Sequence, residues 1–146
     1  RRDDISKAHW TYFYDHDIPF FRISFPSKFS PEMAPEGHGS ISCEIAFSKK
    51  KPLIEEGLVD RVIASLRSTG ILLPGDKVVT ARQTTSPFSY VVFDHQRSAA
   101  VATIHAWMQD IGLIPCGRFA EWGYQWSFEA IESGKRAAAI IREGRR

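Results

Sequence analysis

The sequence predicts an α+β fold: an antiparallel sheet with helices packed mainly on one face. Period-two alternation of apolar and polar residues marks strands at residues 20–25 and 40–47. Residues 52–68 instead carry Ile54, Leu58, Val62 and Leu66 at helical spacing, with Val59 and Ile63 widening the stripe. A last helix, residues 127–142, follows a glycine-bearing aromatic loop. Antiparallel strands backed by helices on one side make an α+β layer.

The elements follow in order. Residues 9–14 hold Trp10, Thr11, Tyr12, Phe13 and Tyr14, all β-formers, and predict the first strand. Asp15-His16-Asp17-Ile18-Pro19 reads as a turn, because Pro19 cannot continue a ladder. In the second strand Phe21, Ile23 and Phe25 share one face, and Phe20, Arg22 and Ser24 the other. Residues 26–39 contain three prolines and two glycines and predict a long loop, a kind that often carries function. The third strand places Ile41, Cys43, Ile45 and Phe47 on one face. In the helix over 52–68, Pro52 suits the first turn, Glu55 and Glu56 suit the N-terminal dipole, and Gly70 supplies the stop. Residues 77–84 and 88–93 predict two further strands around Thr85-Ser86-Pro87. A helix over 96–111 sets Val101, Ile104, Trp107 and Met108 on one face, with Trp107 expected in the core, and ends at Gly112. Residues 113–117 predict a short strand before the final helix.

A chain of 146 residues suffices for one domain with its own core. Its net charge of +2 is too small to argue for a nucleic-acid partner. Arg1, Arg2, Arg142, Arg145 and Arg146 read as solvated tails, and Lys49-Lys50-Lys51 as a solvated loop. Cys43 and Cys116 lack metal or redox spacing and read as reduced, buried thiols of a cytoplasmic protein. No apolar run reaches the length of a membrane span, and the opening residues do not read as a secretory leader, so none is expected. The five histidines are scattered without H-x-x-x-H or H-E-x-x-H spacing, so no metal site is expected. No residue pattern marks a catalytic nucleophile or acid–base pair, so the catalytic residues stay unassigned.

Two segments carry candidate chemistry. Ser127 reads as the N-cap of the final helix, leaving unpaired first-turn N–H groups and the positive end of the dipole beside Trp126, Ser127 and Phe128. Such a terminus suits an electron-rich ligand edge. Gly117 permits close approach of a ligand to the backbone, and Arg118 offers a bidentate fork for a phosphate.

The run from Cys116-Gly117-Arg118-Phe119 through Trp122-Gly123-Tyr124 to Ser127-Phe128 resembles the C-terminal flavin-contacting segment of the FAD-dependent amine oxidase superfamily. The branch it is most similar to holds protoporphyrinogen-oxidase-like proteins and UDP-galactopyranose mutase. Trp10-Thr11-Tyr12-Phe13, Pro19-Phe20-Phe21-Arg22-Ile23 and Phe25-Pro26-Ser27-Lys28-Phe29-Ser30-Pro31 resemble the substrate-domain strands of the same branch, in which Asn often stands where Lys28 does. The resemblance implies a substrate-domain-like α+β region over 1–112 and a FAD-contacting strand, loop and helix over 113–146. It implies that Gly117 and Arg118 lie beside the ribityl and pyrophosphate of FAD, and that Trp126, Ser127 and Phe128 meet the isoalloxazine near N1 and O2. The implied function is an amine-oxidase-type oxidoreductase positioning FAD and a small-molecule substrate for hydride transfer to flavin N5. A UDP-sugar mutase-like flavoenzyme is the alternative, though that branch usually has acidic residues where Trp126 and Phe128 stand. A non-catalytic α+β binding domain with a vestigial flavin motif is the third. No G-x-G-x-x-G occurs in the chain and no initiator Met opens it. We therefore expect a C-terminal piece of a longer flavoprotein, inactive and without flavin unless the missing N-terminal FAD-binding region is present.

Overall fold

The computed structural model describes residues 4–144. Arg1, Arg2, Arg145 and Arg146 lie outside the described residues, and Arg142 is exposed. The fold is α+β, and the chain divides between Thr84 and Thr85 into two compact units.

The first unit is built on a three-stranded antiparallel sheet, β1 (Trp10–Tyr12), β2 (Arg22–Ser24) and β3 (Ser42–Glu44), in that spatial order. Its register sets Tyr12, Arg22 and Glu44 in one row, Thr11, Ile23 and Cys43 in the next, and Trp10, Ser24 and Ser42 in the third. Side chains alternate across a sheet, so the middle row faces one way and the outer rows the other. The middle row faces the core. Ile23 is buried with Phe20, Phe25, Leu66 and Leu72, and Cys43, Val62 and Ile63 pack around them. Between β2 and β3 the chain forms α1 (Pro26–Phe29) and a 3₁₀ turn (Pro31–Met33). The long loop expected over 26–39 is thus partly helical. Its ends are pinned by reciprocal bonds, Ser27 N–H to Ser40 Oγ at 2.9 Å and Ser40 N–H to Ser27 Oγ at 3.2 Å.

The amphipathic helix α2 spans Leu58–Ser68 and buries Leu58 and Leu66, with Val62 half-buried. It starts six residues later than the expected Pro52. Gly57 holds the left-handed conformation at φ +60°, which no continuing helix can contain. The guanidinium of Arg61 folds back to the carbonyls of Ile54 and Glu56 and satisfies that preceding turn. Gly70, at φ +74°, closes the other end, its N–H bonding the Arg67 carbonyl at 3.0 Å. The strand expected at 77–84 does not form: those residues are exposed and take no place in the sheet. β-Forming residues mark a chain that fits a pleat, but a strand exists only when a partner completes its ladder.

The second unit comprises α3 (Arg97–Asp110), α4 (Gly117–Ala120) and α5 (Ser127–Gly144). Residues 88–93, expected as a strand, have no regular structure, although Val91 is buried. The face of α3 that turns inward holds Arg97, Val101, His105 and Met108, each half-buried; Ile104 and Trp107 are exposed, so Trp107 is not a core residue. Gly112, at φ +75°, ends α3 with a Schellman pair: Gly112 N–H to Gln109 O at 3.0 Å and Leu113 N–H to Met108 O at 2.8 Å. Leu113 is consumed by that cap and Gly117 opens α4, so the strand expected over 113–117 is absent. Cys43 and Cys116 are both free thiols. Cys116 is exposed, correcting its expected burial, because it stands just ahead of α4. Among the described residues no helix is long and apolar enough to cross a membrane.

Candidate functional site

The second unit brings the candidate residues together through one buried hydroxyl. Ser133, on the second turn of α5, is 1% exposed. Its Oγ accepts from the N–H of Gly117 at 2.8 Å and donates to Oε1 of Glu121. Glu121 Oε2 accepts from the side-chain amide of Gln125, and Arg136 approaches Oε1 at 3.5 Å. This network ties the start of α4 to α5 and fixes the loop between them. Gly117 meets it at φ +81°, a conformation that costs other residues strain.

Arg118 is half-buried. Its Nη1 donates to the Gln125 carbonyl at 3.3 Å, and its guanidinium lies 4.8 Å from the Tyr124 ring centre and 5.7 Å from that of Tyr90. Tyr90 and Tyr124 pack on each other at 5.7 Å. The guanidinium therefore has aromatic faces to hold it, a geometry that fixes a planar fork better than an ammonium.

At the start of α5, Ser127 is the first helical residue, so it is not the N-cap. Trp126 takes that place: its carbonyl accepts from Ala130 N–H at 3.0 Å. The cap bond comes from Glu129, whose carboxylate accepts the Trp126 N–H at 2.7 Å, half of a capping box. Trp126, Ser127 and Phe128 are exposed, and the N–H groups of the first turn have no intrahelical acceptor. Beside them Gln125 Oε1 is buried without a hydrogen-bond partner among the described residues. Gly117 and Arg118 in α4 are thus coupled through the 121–125 loop to Trp126, Ser127 and Phe128. Glu121, Ser133 and Tyr90, which build this coupling, carry no signature in the sequence beyond the i, i+4 spacing of Glu121 and Gln125.

The first unit offers a cleft, on the open face of its sheet. Trp10, Arg22, Ser24, Phe29 and Glu44 line a cleft of about 230 Å³. Arg22 makes a bidentate pair with Glu44, Nε to Oε1 at 2.7 Å and Nη2 to Oε2 at 2.6 Å, and Nη1 donates to the Tyr12 hydroxyl at 3.3 Å. These bonds, that to Glu44 first, raise the Arg22 pKa still further above its ordinary value. Trp10 and Phe29 stack at 6.1 Å with planes 10° apart. The sequence sets Arg22 on one strand face with Phe20 and Ser24; its register opposite Tyr12 and Glu44 is a tertiary fact.

The chain has a structural relative. A solved structure, the crystal structure of reduced UDP-galactopyranose mutase, matches 80% of it at a TM-score of 0.72 and 28% sequence identity. The match takes in 25% of that protein, so the chain spans about a quarter of the length of the mutase. No family model matches. Among the described residues no group of three or more His, Cys, Asp and Glu side chains is placed to hold a metal ion.

Proposed function

We propose that this chain is the substrate-side and C-terminal cofactor-contacting part of an FAD-dependent enzyme, completed by an N-terminal FAD-binding region. The observation that carries the proposal is the convergence of Arg118, the 121–125 loop and the open first turn of α5. The residues fit the group. A flavin pyrimidine edge presents both acceptors and an N–H; the helix turn offers donors, and Gln125 Oε1 offers an acceptor that lacks a partner. FAD, when bound, supplies the redox chemistry at N5. Arg118 neutralises negative charge on the cofactor, and the first-turn N–H groups of Ser127 and Phe128 place positive potential at its edge, with Trp126 beside them. The cleft of Trp10, Arg22 and Phe29 belongs to the substrate side, where flat aromatic walls and a polar floor suit a small polar molecule. Arg118→Ala in the flavin-loaded full-length protein removes the charged partner and lowers the flavin content of purified protein. Unchanged flavin stoichiometry and affinity place Arg118 away from the cofactor and overturn the proposal.

The reaction we favour is oxidation of a small-molecule substrate with hydride transfer to the flavin. A second reading, a UDP-sugar mutase-type reaction, is favoured by the mutase likeness. Two features weigh against it. Trp126 and Phe128 stand where that branch usually has acidic residues, and Arg22 is already matched by Glu44, which takes free positive charge from the cleft. Anaerobic bleaching of the flavin by a reducing substrate selects the oxidoreductase; UDP binding weakened by Arg22→Ala selects the mutase.

A further inference from the structure

We infer that Arg97 is a positioning residue that locks the 121–126 loop, and so sets where the first turn of α5 begins, by holding the carbonyl of Trp122. Among the described residues Trp122 is the non-glycine residue at positive φ, +48°. A bulky aromatic side chain is disfavoured in the left-handed region, and such a conformation persists only where its surroundings over-determine it. The neighbouring Gly123 would adopt positive φ freely, yet it is Trp122 that does so. The surroundings responsible are visible. Arg97 donates to the Trp122 carbonyl twice, from Nε at 2.9 Å and from Nη2. Its guanidinium lies 4.2 Å from the ring centre of Phe93, which fixes the plane of the fork. Its own N–H bonds the Asp94 carbonyl at 3.3 Å, so the stem of the side chain is anchored at the start of α3.

Two turns along the same face of α3, His105 Nε2 lies 3.0 Å from the Ala120 carbonyl. A carbonyl only accepts, so this nitrogen carries the proton. The two pins grip the carbonyls on either side of Glu121, whose carboxylate in turn holds Gln125 and Ser133. Arg97 therefore acts on the first turn of α5 through backbone geometry, with no contact to Trp126, Ser127 or Phe128 required.

A double-mutant cycle on the chain tests this, and it stands independently of any cofactor. Arg97→Ala lowers the urea midpoint. Glycine takes positive φ without steric cost, so a Trp122→Gly loop has no strain to release when the bonds go, and Arg97→Ala lowers the midpoint more in that background than in the Trp122 chain. Arg97→Lys keeps the charge but loses the fork and behaves as Arg97→Ala does; it also serves if the alanine variant fails to fold. Equal losses in both backgrounds, or wild-type behaviour of Arg97→Lys, overturn the inference. A second arm rests on the flavin reading. In the flavin-loaded full-length protein, Arg97→Lys shifts the flavin reduction potential, whereas Leu66→Ala, a destabilising change in the other unit, does not. An unshifted potential in Arg97→Lys, with Arg118→Ala still losing flavin, shows that Arg97 does not set the turn. If Arg118→Ala keeps its flavin, the cofactor reading falls and the cycle alone judges Arg97.

Discussion

Leu66 shows how a single residue carries the first unit. It was legible as the centre of an apolar stripe, and it is 5% exposed among Phe20, Ile23, Phe25 and Leu72. Leu66→Ala removes transfer energy and leaves a cavity, costing about 2–5 kcal/mol in chemical denaturation; a loss below about 1 kcal/mol contradicts that packing. Cys43 was legible too, as a core-facing strand residue. Burial pushes its thiol up to about 11 from 9.0. A raised folded pKa means that the native state holds its proton longer than the unfolded chain does. The stability Cys43 contributes is therefore complete below pH 9 and is lost as pH rises through about 11. Cys43→Ala should remove that alkaline loss, measured as the urea midpoint between pH 8.5 and 11; an unchanged pH profile assigns the loss to other groups. Arg22, Glu121 and Ser133 were not legible as site residues. Their roles depend on what register and helix packing set opposite them, and a single chain does not print that information.

At the scale of elements, helices were legible and several strands were not. A helix closes its own hydrogen bonds, so local sequence locates α2, α3 and α5, though not every boundary or buried face. A strand borrows its bonds from a partner, so residues 77–84 and 88–93, although they contain β-forming residues, formed no ladder. The stops themselves were read correctly at Gly70 and Gly112, whereas Gly57 was overlooked as a start signal. Gly112→Ala isolates the value of such a stop. A Cβ there meets nothing within 4 Å, so the cost is conformational alone. We expect a loss of roughly 1–2 kcal/mol from forcing alanine into the left-handed region. A midpoint unchanged by the substitution means that the Schellman pair reforms in another conformation.

At the scale of the whole molecule, the two units differ in what they bury. The first has a cluster of buried aromatic and aliphatic side chains beneath a sheet. In the second, Val91 and Ala137 are the buried apolar residues described, and α3 has no fully buried side chain. Large apolar residues of the second unit, among them Trp107, Phe128 and Ile131, stay exposed. The composition points the other way, since the second unit is the richer in apolar residues, and only tertiary packing decides which are covered. The energetic consequence is direct. Burial of apolar surface is the main favourable term in folding, and segments with few buried contacts open at lower free energy. Native-state hydrogen exchange should therefore divide the chain near Thr84. The amide of Ile23, in the central strand over the core, should be among the slowest to exchange. Those of α3 should exchange faster, by openings that leave the first unit intact. Adding urea should then accelerate Ile23 with a steep slope, since its exchange requires unfolding of the first unit, while α3 responds weakly. One common slope for α3 and β2 would mean that the chain opens as a single cooperative body, and the division into units would describe geometry alone.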